Sequence, residues 1–193
     1  MRIFLAGASG VIGQHLIPLL VDGGHIVGGM TRSPQKVPHL RSLGAEPIVC
    51  DVYDRESLAI AVASFQPDLV LHELTDLPDD PREINEGAAL NARMRLEGTR
   101  NLIAASQQAG VGRIFAQSVA WAMPPGPSAD AVTALEASVL AVGGTVLRYG
   151  QFYGPETYYE HEPPSRPRVH IDEAARQTIA ALESTPGTIE IVE

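Results

Sequence analysis

Short runs of apolar residues alternate along the chain with segments whose apolar positions recur at the helical period. The runs predict β-strands and the segments between them predict helices, which is the order of a β-α-β repeat. The predicted strands of the first part are Arg2–Ala6, His25–Met30, Glu46–Cys50, Asp68–His72 and Gly112–Ser118. The predicted helices between them are Val11–Asp22, Pro34–Leu43, Arg55–Phe65 and Arg82–Ala109.

The predicted strands are apolar on both faces of the pleat, so both faces of the sheet must be covered. Because parallel neighbours need helical crossovers, the pattern predicts a Rossmann-like, doubly wound α/β sheet. Past a proline-rich loop at 123–128, the alternation continues with fewer residues. The elements predicted there are a helix at Asp130–Val142, a strand at Thr145–Tyr149, a helix after Asp172 and a strand at Thr188–Val192.

A glycine-rich segment, Gly7–Gly13, lies directly between the first predicted strand and the first predicted helix. Glycine at its first position allows a tight turn, at its second a close approach of a pyrophosphate, and at its third close packing of the helix. The N–H groups and positive end of that helix would stabilise phosphate charge. A purely structural glycine turn is the alternative. The residues predicted to bind a dinucleotide here are Gly7, Ser9, Gly10, Val11, Ile12 and Gly13.

The end of the second predicted strand indicates which dinucleotide binds. NAD-binding proteins usually carry an acidic residue there, whereas this chain has Thr31, Arg32 and Ser33. Arg32 can pair with the 2′-phosphate of NADP, and the two hydroxyls can donate hydrogen bonds to it. The sequence therefore predicts NADP in preference to NAD. The alternative is a solvated arginine at a strand end.

Two further strand ends supply predicted cofactor contacts. Asp51 and Val52 follow the third strand, where an adenine ring would lie, although an aspartate there is also a common turn residue. Leu74 and Thr75 follow the fourth strand and would border the middle of the cofactor. We expect one NAD(P)-binding Rossmann domain over residues 1–193, in which 123–128 and 155–185 contribute a minimal substrate lobe.

The composition narrows the classes of partner. The chain has 14 Lys+Arg and 23 Asp+Glu, a net charge of −9, which disfavours nucleic acid and anionic membrane as partners. Cys50 has no second cysteine to pair with, and no metal-ligand spacing occurs, so we expect no metal. The early residues lack the pattern of a signal peptide, so we expect a cytoplasmic protein.

Several segments, in order along the chain, resemble the short-chain dehydrogenase/reductase superfamily in its extended, NAD-dependent epimerase/dehydratase-like branch. They are the glycine-rich segment Gly7–Gly13, Gly98–Leu102, Gln117–Ser118, Leu147–Gly150, Tyr153–Pro155 and His170–Asp172. The resemblance implies that Ser118 polarises the substrate. It also implies a dimer through the helices near Arg82–Ala109 and Asp130–Val142, which a monomer mass by light scattering would contradict.

The chain departs from this family at the proton donor. The family's Tyr-x-x-x-Lys pair is absent, because the chain has one lysine, Lys36, in the second helix region. Tyr149 and Tyr153, which follow the sixth strand, are the remaining candidates for catalytic proton donors, although most tyrosines in such loops are structural. His72 is a further acid-base candidate whose alternative is a structural histidine.

These features together predict an NADP-dependent oxidoreductase that acts on a small carbonyl or hydroxyl compound. Epimerase or dehydratase chemistry through transient oxidation is a variant of the same activity. The missing Tyr/Lys pair and the short substrate lobe support an alternative, a non-catalytic NADP(H)-binding sensor or regulatory subunit. A third possibility is an enzyme without hydride transfer, such as a cyclase or isomerase.

Overall fold

A computed structural model describes residues 1–78 and 80–193 of the chain. The apolar runs of the sequence form the strands of the main sheet, as expected for parallel strands that are covered on both faces. The strands are β1 (Arg2–Ala6), β2 (Ile26–Thr31), β3 (Glu46–Val49), β4 (Leu69–His72), β5 (Ile114–Val119), β6 (Thr145–Tyr149), β7 (Gln151–Tyr153), β8 (Arg168–His170) and β9 (Gly187–Ile191).

Helices connect the strands on both faces of the sheet. They are α1 (Val11–Asp22), α2 (Val37–Ser42), α3 (Arg55–Phe65), α4 (Ile84–Arg93), α5 (Thr99–Gln108), α6 (Pro127–Ala141) and α7 (Ile171–Ala181). Within residues 1–78 and 80–193, no helix is both long enough and apolar enough to cross a membrane.

Seven strands form one parallel sheet in the order β3-β2-β1-β4-β5-β6-β9. The strand order reverses between β1 and β4, so the carboxyl ends of these two strands border a crevice at the edge of the sheet. Ligands of doubly wound folds bind at such a switch point. The arrangement confirms the predicted Rossmann-like sheet.

The side chains of β1 alternate between two apolar cores, one on each face of the sheet. Ile3 and Leu5 pack into a core shared with α1 and α7. Phe4 and Ala6 pack into a second core shared with α3, α5 and α6. All four residues are fully buried. Their packing on both faces of the sheet fixes the position of the carboxyl end of β1, where the glycine-rich turn begins.

Two features differ from the sequence prediction. The predicted helix Arg82–Ala109 is interrupted by a π-helical turn, Met94–Gly98. Strands β7 and β8 form a separate two-stranded ladder, which the polar, proline-rich sequence between them concealed. Helix α7 covers the sheet beside α1, and Nδ1 of His15 lies 2.9 Å from Oδ1 of Asp172.

Replacing Gly13 with alanine should destabilise the fold, because an added Cβ would lie 2.3 Å from the carbonyl oxygen of Gly7 and 2.8 Å from that of Ala8. We expect the free energy of unfolding, measured with urea, to fall by roughly 1–3 kcal/mol. Gly112→Ala is the matched control, since its added Cβ meets open space and should change stability by no more than about 0.5 kcal/mol. Equal stability of the two variants would contradict the close approach.

Candidate functional site

The turn after β1 brings two backbone segments into unusually close contact. Gly7 has a φ of +94°, and a Cβ on it would lie 2.6 Å from the carbonyl carbon and oxygen of Glu73. The Gly10 N–H donates to the carbonyl of Gly7 at 3.0 Å, and α1 begins directly afterwards. Gly10 provides no side-chain cap and the first turn of α1 holds no acid, so its N–H groups are suited to an anion.

A cleft of about 200 Å³ opens beside this turn. Most of the predicted cofactor residues line it together: Gly7, Ser9, Gly10, Thr31, Arg32, Ser33, Asp51, Val52, Leu74 and Thr75. Three others, Val11, Ile12 and Gly13, form the first turn of α1 next to it. Met30 and Glu73 also line the cleft, next to the predicted residues of β2 and of the segment after β4. Sequence reasoning did not place Lys36, Cys50 and Met94 there, although they line the cleft as well.

Two cationic side chains lie where β2 ends. Nη2 of Arg32 donates to Oδ1 of Asp76 at 2.8 Å, which raises the pKa of the guanidinium. Lys36 follows within one turn of 3₁₀ helix and faces the same cleft. Thr31 holds the segment in place, since its hydroxyl oxygen lies 3.0 Å from Oγ of Ser9 and accepts from the N–H of Ser33 at 3.2 Å.

The segment that follows β3 forms one wall of the cleft, with buried residues inside and a polar residue at the solvent-exposed rim. Val52 is buried, and its carbonyl accepts from Nδ2 of Asn101 at 3.0 Å, which ties the wall to α5. Burial raises the pKa of the Cys50 thiol to about 11, so this side chain stays neutral. Asp51 is exposed at the rim, and its Oδ1 accepts from the N–H of Tyr53 at 2.9 Å.

His72 has a structural position. Its ring is buried, with Nε2 2.9 Å from Oγ1 of Thr99, and Nδ1 accepts from the N–H of Leu74 at 3.2 Å. Burial, assisted by the charge of Arg95, lowers its pKa to about 4, so the ring is neutral at pH 7. The neutral ring fixes the segment that leads to Thr75 in the cleft.

The hydroxyl of Ser118 is turned toward α6. It is buried and donates to Oε1 of Glu136 at 2.6 Å. Arg148 binds the same carboxylate through Nε at 2.9 Å and Nη2 at 2.5 Å. Burial of Glu136 opposes its ionisation, but the bonds from Arg148 and Ser118 prevail and lower its pKa. Ser118 therefore completes an ion-pair cluster that joins β5, β6 and α6.

The two tyrosines predicted to donate protons are also engaged elsewhere. Tyr149 is 1% exposed, with its hydroxyl against Glu73 and Thr178. Tyr153 lies in the β7–β8 ladder, and its hydroxyl donates to Oε2 of Glu193 at 2.7 Å. The structure does not bring the hydroxyls of the predicted catalytic residues Ser118, Tyr149 and Tyr153 together, because each contacts a different partner.

A second cavity, of about 330 Å³, lies at the carboxyl end of β5. The loop 119–123 and one side of α6 line it, and Arg148 and Glu136 form its polar part. Val132 also lines this cavity. Within the described ranges, no group of three or more His, Cys, Asp or Glu side chains could hold a metal ion.

Comparison with known proteins agrees with this geometry. A family model described as NAD(P)H-binding matches residues 7–141, which include the glycine-rich turn and the cleft. The chain belongs to the NAD(P)H-binding family. A 3-diazoavenalumate denitrifying reductase from a Streptomyces species is 34% identical over 95% of this chain and 73% of its own length. Cinnamoyl-CoA reductase 1 from Petunia hybrida is 32% identical over 69% of this chain and 40% of its own length.

Solved structures place this NAD(P)H-binding protein in the same fold. UDP-glucose 4-epimerase from Thermus thermophilus, in complex with NAD, superposes with a TM-score of 0.81. It is 23% identical, and the match covers 100% of this chain and 78% of the epimerase. This likeness confirms the fold that the family resemblance implies.

Replacing Ser118 with alanine should cost stability and leave cofactor binding unchanged, because its hydroxyl serves Glu136. We expect the free energy of unfolding to fall by roughly 1.5–3 kcal/mol, the usual contribution of a hydrogen bond to a charged group. Urea unfolding measures the loss, and a fluorescence titration measures NADPH binding. Ser138→Ala, on the exposed side of α6, is the control. Abolished NADPH binding in the Ser118 variant would contradict this position.

Proposed function

We propose that the protein is an NADP-dependent oxidoreductase that transfers hydride between NADP(H) and a small-molecule substrate. The observation that carries the proposal is the pair of cations, Arg32 and Lys36, on a cleft that begins at the bare N-terminus of α1. The names of its relatives, which are reductases, support hydride transfer. Bound nicotinamide would supply the hydride, and the chain's own residues would bind and orient it.

The choice of NADP rests on charge at the end of β2. A 2′-phosphate is a dianion at neutral pH and needs donors with positive charge. Arg32 presents a planar fork of donors, and Lys36 adds a second charge from the next turn. Asp76 holds the Arg32 side chain at the rim of the cleft, so the guanidinium is already positioned before a ligand arrives. NAD, which lacks this phosphate, would gain nothing from either cation.

The hydrogen bonds of the candidate proton donors bear on the class of substrate. Reduction of a carbonyl builds up an alkoxide that needs a proton, and Ser118 and Tyr149 are committed to Glu136 and to Glu73 with Thr178. We propose that water supplies the proton, or that the hydride acceptor is a group that forms no alkoxide. The Streptomyces relative supports the second choice, because its name specifies a diazo compound.

Replacing Arg32 and Lys36 with alanine should weaken NADPH binding selectively. Each charged contact to phosphate is worth roughly 1.5–3 kcal/mol, so each variant should raise the Kd for NADPH by roughly 10- to 100-fold. The Kd for NADH should change by no more than about twofold, because NADH lacks the phosphate these charges bind. Calorimetry measures both. Arg41→Ala, an exposed arginine on α2, is the charge-matched control. Equal losses for NADPH and NADH would contradict the proposed phosphate site.

An activity panel separates the oxidoreductase from the non-catalytic sensor. NADPH absorbance would be followed with aldehydes, ketones and an arenediazonium salt, and NADP⁺ reduction would be followed with alcohols. Consumption of NADPH with any acceptor, above the rate without protein, supports the enzyme. Tight NADPH binding with no turnover across the panel would instead favour the sensor. The hydrogen bonds that the Ser118 and Tyr149 hydroxyls make inside the fold are consistent with that alternative.

A further inference from the structure

A carboxyl group is buried where β4 ends, beside the cofactor turn. Glu73 is 3% exposed, and its backbone forms the close contact with Gly7 described above. The residue lines the cleft. Its Oε2 has no hydrogen-bond partner in the described part of the chain, and such a buried orphan is costly if the group is charged.

A row of hydroxyl groups leads away from the other oxygen of this carboxyl. The Tyr149 hydroxyl lies 3.1 Å from Oε1 of Glu73 and 2.7 Å from Oγ1 of Thr178. The Thr178 hydroxyl donates to the carbonyl of Ala174 at 2.8 Å. Tyr149 donates to Oε1 of Glu73. The carboxyl therefore receives one side-chain hydrogen bond on one oxygen, whereas an ionised carboxylate accepts at both oxygens.

In the described residues 1–78 and 80–193, no salt bridge joins a cation to Glu73. The recorded partner of its carboxyl is Tyr149 from β6, which in turn contacts uncharged Thr178 from α7. Burial raises the pKa of Glu73 to about 8, and the Tyr149 bond opposes this only in part. The burial of the carboxyl and its unpartnered Oε2 agree that the group is neutral at pH 7.

We propose that Glu73 is a proton-holding group of the cofactor site that sets its preference between the two redox states of the cofactor. The proposal rests on the dinucleotide function argued above. The reduced cofactor carries one more negative charge than the oxidised form. A neutral carboxyl in the wall of the cleft tolerates that charge, whereas a carboxylate repels it. Loss of the Glu73 proton therefore weakens binding of NADPH more than binding of NADP⁺.

The test is the ratio of the Kd for NADPH to the Kd for NADP⁺, measured by calorimetry from about pH 6.5 to about pH 9.5. The ratio cancels the titration of groups common to both forms, such as the 2′-phosphate. In the unchanged protein we expect it to rise on the order of tenfold as the pH passes through about 8. In Glu73→Gln, which mimics the neutral acid, the ratio should stay constant. The same rise in both proteins, or a constant ratio in both, would overturn the proposal.

Thermal unfolding of the same two proteins shows whether the group is neutral in the fold. The pKa of Glu73 is raised from 4.5 to about 8, so its contribution to stability is complete below about pH 4.5 and is lost as the pH rises to about 8. The Tm of the unchanged protein should fall relative to that of Glu73→Gln over this window. Parallel Tm curves would contradict a neutral carboxyl.

A third measurement needs no variant, in case Glu73→Gln fails to fold. Calorimetry in buffers of different ionisation enthalpy counts the protons taken up on binding. At about pH 8.5 the unchanged protein should take up more protons with NADPH than with NADP⁺. Equal uptake overturns the role of Glu73 and leaves the cofactor assignment intact. Absence of binding by either form at every pH would overturn the cofactor assignment itself.

Discussion

The close approach of the backbone around the β1–α1 turn is the constraint on which the site depends. Side chains at Gly7 and Gly13 would collide with the carbonyl groups of Glu73 and Gly7, so only glycine allows the strand end, the helix start and the end of β4 to meet. The contact brings the uncapped first turn of α1 to the switch point of the sheet. The anion site is therefore made by backbone, and the side chains around it determine which anion binds.

Charge is distributed unevenly around this backbone site. The cations Arg32 and Lys36 line the cleft where β2 ends, and Asp76 accepts a hydrogen bond from the guanidinium of Arg32. Deeper in the fold, His72 and Glu73 are both buried, and burial shifts both toward their neutral forms. The inner wall thus holds titratable groups that are neutral, and the rim holds side chains that are always charged. This arrangement suits a ligand whose phosphates bind at the rim and whose redox-active ring, which changes charge, binds at the inner wall.

Local sequence signals were sufficient for most of the fold. The strand Arg2–Ala6 and the helices Val11–Asp22 and Arg55–Phe65 have the same bounds in the sequence prediction and in the structure. Apolar periodicity and glycine placement act over a few residues, so they can be recognised in a single sequence. Most residues of the cofactor cleft could also be predicted, because they follow the carboxyl ends of β1 to β4. Parallel strands end at the same edge of the sheet, so residues that follow them lie close together.

The surroundings of the candidate catalytic side chains could not be predicted this way, because they depend on contacts between residues distant in the chain. Tyr149 meets a carboxyl 76 positions earlier, and Ser118 meets one 18 positions later. Nothing in the local sequence of Glu73 signals that it is buried, since a glutamate after a strand is usually exposed. Lys36 is the one lysine of the chain, and its position on the cleft depends on how the 3₁₀ turn follows β2, which the local sequence does not show.

The claim that backbone amides at the start of α1 bind the cofactor's phosphates can be tested by NMR on ¹⁵N-labelled protein titrated with NADPH. The account predicts that the amide resonances of Val11, Ile12 and Gly13 shift and saturate together with those of Arg32 and Ser33. Saturable binding that leaves these amides unmoved, with shifts confined to other parts of the sheet, would contradict it.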